Sequence, residues 1–254
     1  MPSVQTVKVE DADGARWITL DRPPVNVLDR PTIEAIAAAL APLDDRRDIK
    51  AIVFRSALPG TFSAGVEVRD HLPARVGDML EAFHGVFRRL DALPQATVAA
   101  VDGTCLGGGC ELATSCDIVL ATARSVLGQP EIDVGCFPPV ASVLLPRVVG
   151  RAAAEIVLTG APFSATAAVR MGLVSRVVED LDAETRRVVA LLAGKSAAVL
   201  TLARRALREG ATGSFSDALT RVEALYRDAL AGTRDVEEGA RAFLEKRPPR
   251  WTDD

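Results

Sequence analysis

The stretch from Gly103 to Glu131 constrains this chain most. It reads Gly103-Thr104-Cys105-Leu106-Gly107-Gly108-Gly109-Cys110-Glu111 and, after an apolar run, Gly128-Gln129-Pro130-Glu131. A strand-like segment, Thr97 to Val101, leads into it. Three consecutive glycines follow, and a helix pattern then opens with a carboxylate. Residues without a Cβ let a backbone approach another group closely. A helix start leaves unpaired N–H groups and positive dipole character. Together these can hold a developing oxyanion. Glutamates at the two edges can supply an acid and a base.

The rest of the chain alternates around this stretch. Val4 to Glu10 and Arg16 to Leu20 flank Asp13-Gly14 and read as a β-hairpin. Pro31 opens a helix whose apolar face is Ile33, Ile36, Ala37, Leu40 and Leu43. Ala51 to Phe54 is a short buried strand. A second loop of small residues, Phe62-Ser63-Ala64-Gly65-Val66, comes next, and Met79, Phe83, Phe87 and Leu90 mark an amphipathic helix. Strands alternating with helices predict a mostly parallel, helix-covered sheet. From about Arg151 the pattern is helical, with strand signals scarce. The fold class is therefore α/β first and helical afterwards. No internal repeat is visible.

Several function classes are excluded or disfavoured. The net charge of −4 argues against nucleic-acid binding. No run of about 18 apolar residues marks a membrane span. No secretory signal is visible at Met1-Pro2-Ser3-Val4, so a cytoplasmic location is the default expectation. The cysteines Cys105, Cys110, Cys116 and Cys136 lack paired spacing and lie far in sequence from His71 and His84. They read as reduced, mostly buried thiols, with no metal site. Gly194-Lys195-Ser196 looks like the end of a phosphate loop, but Val189 stands where that loop needs glycine. No serine-hydrolase elbow and no zinc-protease motif occurs.

Four blocks carry a resemblance. They are Arg22-Pro23 with Asn26-Val27-Leu28, then Phe62-Ser63-Ala64-Gly65, then Gly103 to Glu111 with Ser115-Cys116-Asp117, then Gly128-Gln129-Pro130-Glu131. In this order and at these separations the chain resembles the crotonase superfamily, the enoyl-CoA hydratases and isomerases, from about Val4 to Trp251. The resemblance implies a ββα spiral core over residues 1–195. It also implies a C-terminal helical trimerisation region over residues 196–254, and a homotrimer or a dimer of trimers. It implies an acyl-CoA substrate, with coenzyme A as part of that substrate and no separate cofactor, nucleic acid or membrane partner.

Carried over by position, the family's two oxyanion N–H groups fall on Val66 and Gly108, and its two glutamates on Glu111 and Glu131. Glu111 is expected to hold and activate water, and Glu131 to donate the proton. Substrate contacts are expected at Ala64, Val66, Glu67, Val68, Arg69, Gly108 and Phe137, with Phe243 and Lys246 as CoA contacts in the C-terminal helix. Phe243 reads first as a residue docking that helix into the core. His71 reads as a polar loop residue.

The chain departs from the family in Gly135-Cys136-Phe137-Pro138-Pro139-Val140-Ala141-Ser142, where many hydratases carry a glycine-rich segment. That run, with Asp70-His71-Leu72-Pro73, Val222 to Tyr226 and the Phe243 to Pro248 tail, is most similar to the cyclohexa-1,5-diene-1-carbonyl-CoA hydratases. The expected reaction is addition of water to an α,β-unsaturated acyl-CoA thioester, or its removal. The alternatives are a double-bond isomerase using Glu131 alone, and a non-catalytic CoA-binding oligomer.

Overall fold

The computed structural model describes residues 5–254. The strand start expected at Val4 lies outside the described residues. Strands β1 (Val7–Ala12) and β2 (Ala15–Leu20) form the expected hairpin. Asp13 and Gly14 both have positive φ, at 54° and 76°, as a tight hairpin turn requires. Strand β3 (Val27–Leu28) precedes helix α1 (Arg30–Leu40). The Asp29 side chain caps α1 by accepting from Thr32 N–H, and Pro31 sits in its first turn, where a missing N–H costs nothing.

A ββα unit then repeats. Strand β4 (Ala51–Ser56) is followed by β5 (Thr61–Ser63), the two-residue β6 (Gly65–Val66) and helix α2 (Val76–Ala92). Strands β7 (Ala96–Val101) and β8 (Thr104–Leu106) lead to helix α3 (Gly108–Thr114). Strands β9 (Ile118–Thr122) and β10 (Val126–Gly128) lead to helix α4 (Pro139–Val148). In each unit the first strand joins one sheet and the second joins another. The sequence shows no repeat because the shared element is the path of the chain, not its side chains.

Helix α5 (Ala152–Thr159), strand β11 (Phe163–Ser164), helix α6 (Ala165–Met171) and strand β12 (Arg176–Val178) come next. Helix α7 (Leu181–Ala193) follows, then α8 (Ala197–Gly210), α9 (Phe215–Asp228) and α10 (Arg234–Leu244). The larger sheet runs β1-β2-β4-β7-β9-β12, and the smaller runs β11-β10-β8-β5. Strands β11 and β12 correct the expectation of a helical region from Arg151 onward. Two- and three-residue strands are too short to show alternation. Yet β12 closes one edge of the larger sheet by pairing in parallel with β9.

The central parallel strands β4, β7 and β9 are buried on both faces, as parallel strands require. In β4, Ile52 and Phe54 belong to the main core, whereas Ala51 and Val53 pack with Trp17, Val98, Leu120, Val188 and Val189 under α7. Helix α8 is tied back by Arg204. Its guanidinium, 7% exposed, donates to Asp117 at 2.7 Å and to the carbonyls of Leu90 and Leu93. Cys105, Cys110 and Cys116 are buried, and Cys136 is half-buried. Among the described residues, no helix is long and apolar enough to cross a membrane.

Candidate active site

The two small-residue loops meet at the end of the smaller sheet. Strands β5 and β10 flank β8 there, and all three run parallel. The loops leaving these strands therefore emerge on the same side. Asn26 fixes the first loop. Its Nδ2 donates to Ser56 Oγ and to Phe62 O, and its Oδ1 accepts from Arg22 N–H. Ser63 Oγ donates to Asn26 O at 2.7 Å and accepts from Gly65 N–H at 3.1 Å.

The glycines are there because the loops touch. Gly65 has φ +97°, and a Cβ on it would lie 3.0 Å from Leu106 O and 3.2 Å from Gly108 N. A Cβ on Gly108 would meet Val66 Cγ2 at 2.7 Å and Phe83 Cζ at 2.8 Å. Val66 and Gly108 thus abut. Gly107, at φ +51°, would carry its Cβ to 2.8 Å from Glu131 Oε1. One glycine packs against the carboxylate of the second block, and its neighbour packs against the first loop.

Helix α3 begins at Gly108 and places Glu111 in its first turn. Glu111 is 2% exposed. Its Oε1 accepts the Ala141 N–H at 2.8 Å. That donor belongs to the first turn of α4, which Pro138 and Pro139 open. Pro139 indeed lacks an N–H, but at the first helical position this removes nothing that the helix needs. The Pro-Pro pair starts a helix whose free N–H groups face the buried carboxylate. Burial pushes the Glu111 carboxyl up to about 7, and the nearby Glu131 charge adds to this, while the Ala141 N–H opposes it.

Glu131 lies in a short 3-10 turn, Pro130–Val134, directly after β10. Burial raises its carboxyl above the ordinary range. Its Oε2 is buried with no hydrogen-bond partner among the described residues. Two partly desolvated carboxyls thus border the same cavity, one held by a backbone N–H and the other with a free oxygen.

That cavity has a volume of about 400 Å³. It gathers Ala64, Val66, Val68, Gly108, Phe137, Glu111 and Glu131 from the predicted residues. Glu67 and Arg69 instead border a neighbouring surface depression with Asp29 and Asp78. The Glu67 carboxylate bends back to accept the Arg69 backbone N–H, and neither side chain lines the cavity. Phe243 and Lys246 are not among the lining residues of this cavity. Phe243 is 82% exposed, so it does not dock α10 into the core of its own chain. Its helix buries Ala242 and Asp235 instead.

The motifs did not single out the Ala141 N–H, nor Leu80, His71 and His84 as cavity residues. The signal for Leu80 and His84 was present. Val76, Met79, Leu80, Phe83 and His84 follow helical spacing and all line the cavity. A larger cleft of about 1440 Å³ opens elsewhere, over Trp17, Arg55, Asp102, Arg124 and Asp182. Its cations are already engaged. Arg124 pairs with Asp102, and Arg55 stacks on Trp17 at 4.7 Å. The smaller cavity, bordered by two carboxyls of raised pKa of which one has a free buried oxygen, is the candidate active site.

The enoyl-CoA hydratase/isomerase family model matches residues 10–254. The chain belongs to that family. A Mycobacterium tuberculosis protein named "Probable enoyl-CoA hydratase" is 37% identical over 254 residues, covering 98% of each chain. The cyclohexa-1,5-dienecarbonyl-CoA hydratase of Thauera aromatica is 36% identical over 236 residues, covering 92% of this chain and 91% of its own. Among solved structures, the Bacillus anthracis enoyl-CoA hydratase superposes with a TM-score of 0.93 at 26% identity, over 98% of this chain and 100% of its own. The ββα spiral and the helical C-terminal region are those of the crotonase fold.

Proposed function

We propose that this enzyme is an enoyl-CoA hydratase that adds water across the double bond of an α,β-unsaturated acyl-CoA thioester, and removes it in reverse. One observation carries the reading: two glutamates with raised pKa values border a cavity whose wall is the Val66–Gly108 contact. Addition of water to an enoyl thioester places negative charge on the thioester oxygen. The N–H groups of Val66 and Gly108 receive that charge, and loss of one such donor costs on the order of 3–4 kcal/mol. Any Cβ at residue 108 would hold the thioester off the backbone.

Glu111, fixed by Ala141, holds and activates the water. Glu131, with its free Oε2, delivers the proton to carbon. In dehydration the two exchange roles. The cavity wall of Val66, Leu80, Phe83 and Phe137 suits the hydrocarbon part of a compact acyl group. The similarity to the Thauera hydratase supports a cyclic dienoyl thioester among the substrates. The exposed Phe215, Tyr226, Phe243 and Leu244 support assembly as a trimer, in which Lys246 and Phe243 reach a neighbouring subunit's CoA. The test is a panel of linear enoyl-CoA and cyclic dienoyl-CoA thioesters, followed by mass detection. The expected result is the gain of one water by at least one of them. A panel left unhydrated overturns the reading.

A further inference from the structure

The sequence contains two histidines, His71 and His84, and both line the cavity that holds Glu111 and Glu131. His71 is engaged, with Nδ1 3.2 Å from Glu67 O. His84 is not. Its Nε2 is shut off from solvent and has no hydrogen-bond partner among the described residues. A buried polar atom without a partner costs free energy, so an apolar residue at this position would give a more stable helix packing.

Val76, Met79, Leu80 and Phe83 form the cavity-facing stripe, and His84 continues it one step beyond Phe83. Phe83 itself lies against Gly108, close enough to block a Cβ there. The imidazole therefore interrupts an apolar wall next to the residue that packs on the proposed oxyanion donor. Neither Glu111 nor Glu131 hydrogen-bonds to it, so it is not part of the acid–base pair. Burial also holds its pKa below the ordinary histidine value. The neutral ring offers one donor and one acceptor.

We propose that His84 is a specificity-determining residue of the acyl pocket, and that it hydrogen-bonds an oxygen substituent, hydroxyl or keto, carried by the acyl group beyond the reacting carbons. This rests on the acyl-CoA reading of the cavity. A site built to bond an oxygen rejects the analogue that lacks it, because its own polar group is then left unpaired. The preferred substrate is therefore an oxygenated acyl thioester rather than a plain hydrocarbon one.

The test is calorimetric binding of saturated thioesters, which no hydratase can consume. Hexanoyl-CoA is compared with its γ-oxo, δ-oxo and ω-hydroxy derivatives on the wild-type protein, His84→Leu and His84→Gln. The expected result is that at least one derivative binds the wild type about tenfold more tightly than hexanoyl-CoA. In His84→Leu that preference disappears while hexanoyl-CoA binding is kept or improved, and His84→Gln retains part of it. Equal binding of all four thioesters by the wild type overturns the proposal, as does an unchanged preference in His84→Leu. Because the ligands are not turned over, a preference that depends on His84 stands even if no enoyl thioester is hydrated.

Discussion

The Ala141 N–H donates to Glu111 Oε1 at 2.8 Å, across 30 residues of sequence. This bond joins the helix that carries the proposed base to the loop in which this chain departs most from its family. It explains why the Phe137-Pro138-Pro139 run is compatible with the chemistry. The two prolines start a helix and leave its third N–H free to hold a carboxylate.

Ala141→Pro replaces that N–H by a ring methylene within the first helical turn, where the proline backbone is tolerated, and the methylene presses on Glu111 Oε1. Loss of the donor takes away the strongest influence that lowers the Glu111 carboxyl, so the acid limb of the kcat profile should move to higher pH. The expected outcome is a rate deficit at pH 6–7 that narrows above pH 8. A profile superimposable on the wild type would contradict the role given to Ala141.

Glu111→Gln and Glu131→Gln should each lower kcat by about 10²–10⁴, the range associated with loss of a general acid or base. Binding of a saturated acyl-CoA should survive in both, since neither residue is needed to hold coenzyme A. Calorimetry with hexanoyl-CoA beside steady-state rates separates the two effects.

The buried Glu111 also predicts a stability slope. Its carboxyl titrates at about 7 in the folded chain, against about 4.3 in an unfolded one. Between these values the folded state binds the extra proton, so this contribution to stability falls as pH rises. Glu111→Gln removes the contribution. The variant should gain on the wild type by up to about 3 kcal/mol between pH 4 and pH 8. Urea unfolding at several pH values reads this difference, and a constant difference would refute the assignment.

Gly108→Ala places a methyl 2.7 Å from Val66 Cγ2 and 2.8 Å from Phe83 Cζ. These contacts push the Val66 and Phe83 side chains aside and put a methyl where the thioester would approach the proposed oxyanion hole. The rate should fall by about 10²–10³, the usual effect of losing one such donor. Circular dichroism should stay native, because the clash is with side-chain ends.

Arg204→Met leaves the Leu93 carbonyl without its buried donor, the Leu90 carbonyl with only the longer Arg208 bond, and Asp117 with Thr97 but without its charged partner. The chain should lose about 2–4 kcal/mol of stability. The measurement is the denaturant midpoint, with the far-ultraviolet spectrum unchanged in the absence of denaturant.

The sequence made the site's backbone legible because glycines and carboxylates leave a clear trace. Gly107, Gly108 and Glu111 could be read from one line of residues, whereas Asn26 was legible only as part of a family block and its bonds to the first loop were not. The hairpin turn at Asp13-Gly14 was equally plain. The spiral was not, since its repeat lies in which sheet each strand joins. Strands β11 and β12 are too short for any periodicity. The Ala141 N–H left no trace because a backbone donor has no residue type. Phe243 misled for a different reason: its apolar character predicts burial, yet among the described residues of one chain it is left exposed.

The most direct measurement is turnover of an enoyl-CoA in water enriched in oxygen-18. The wild-type product should carry one labelled oxygen in its acyl part, and that label signal should be lost in Glu111→Gln and Glu131→Gln. A product with a shifted double bond and no label would contradict the hydratase reading and place the chain with the isomerases.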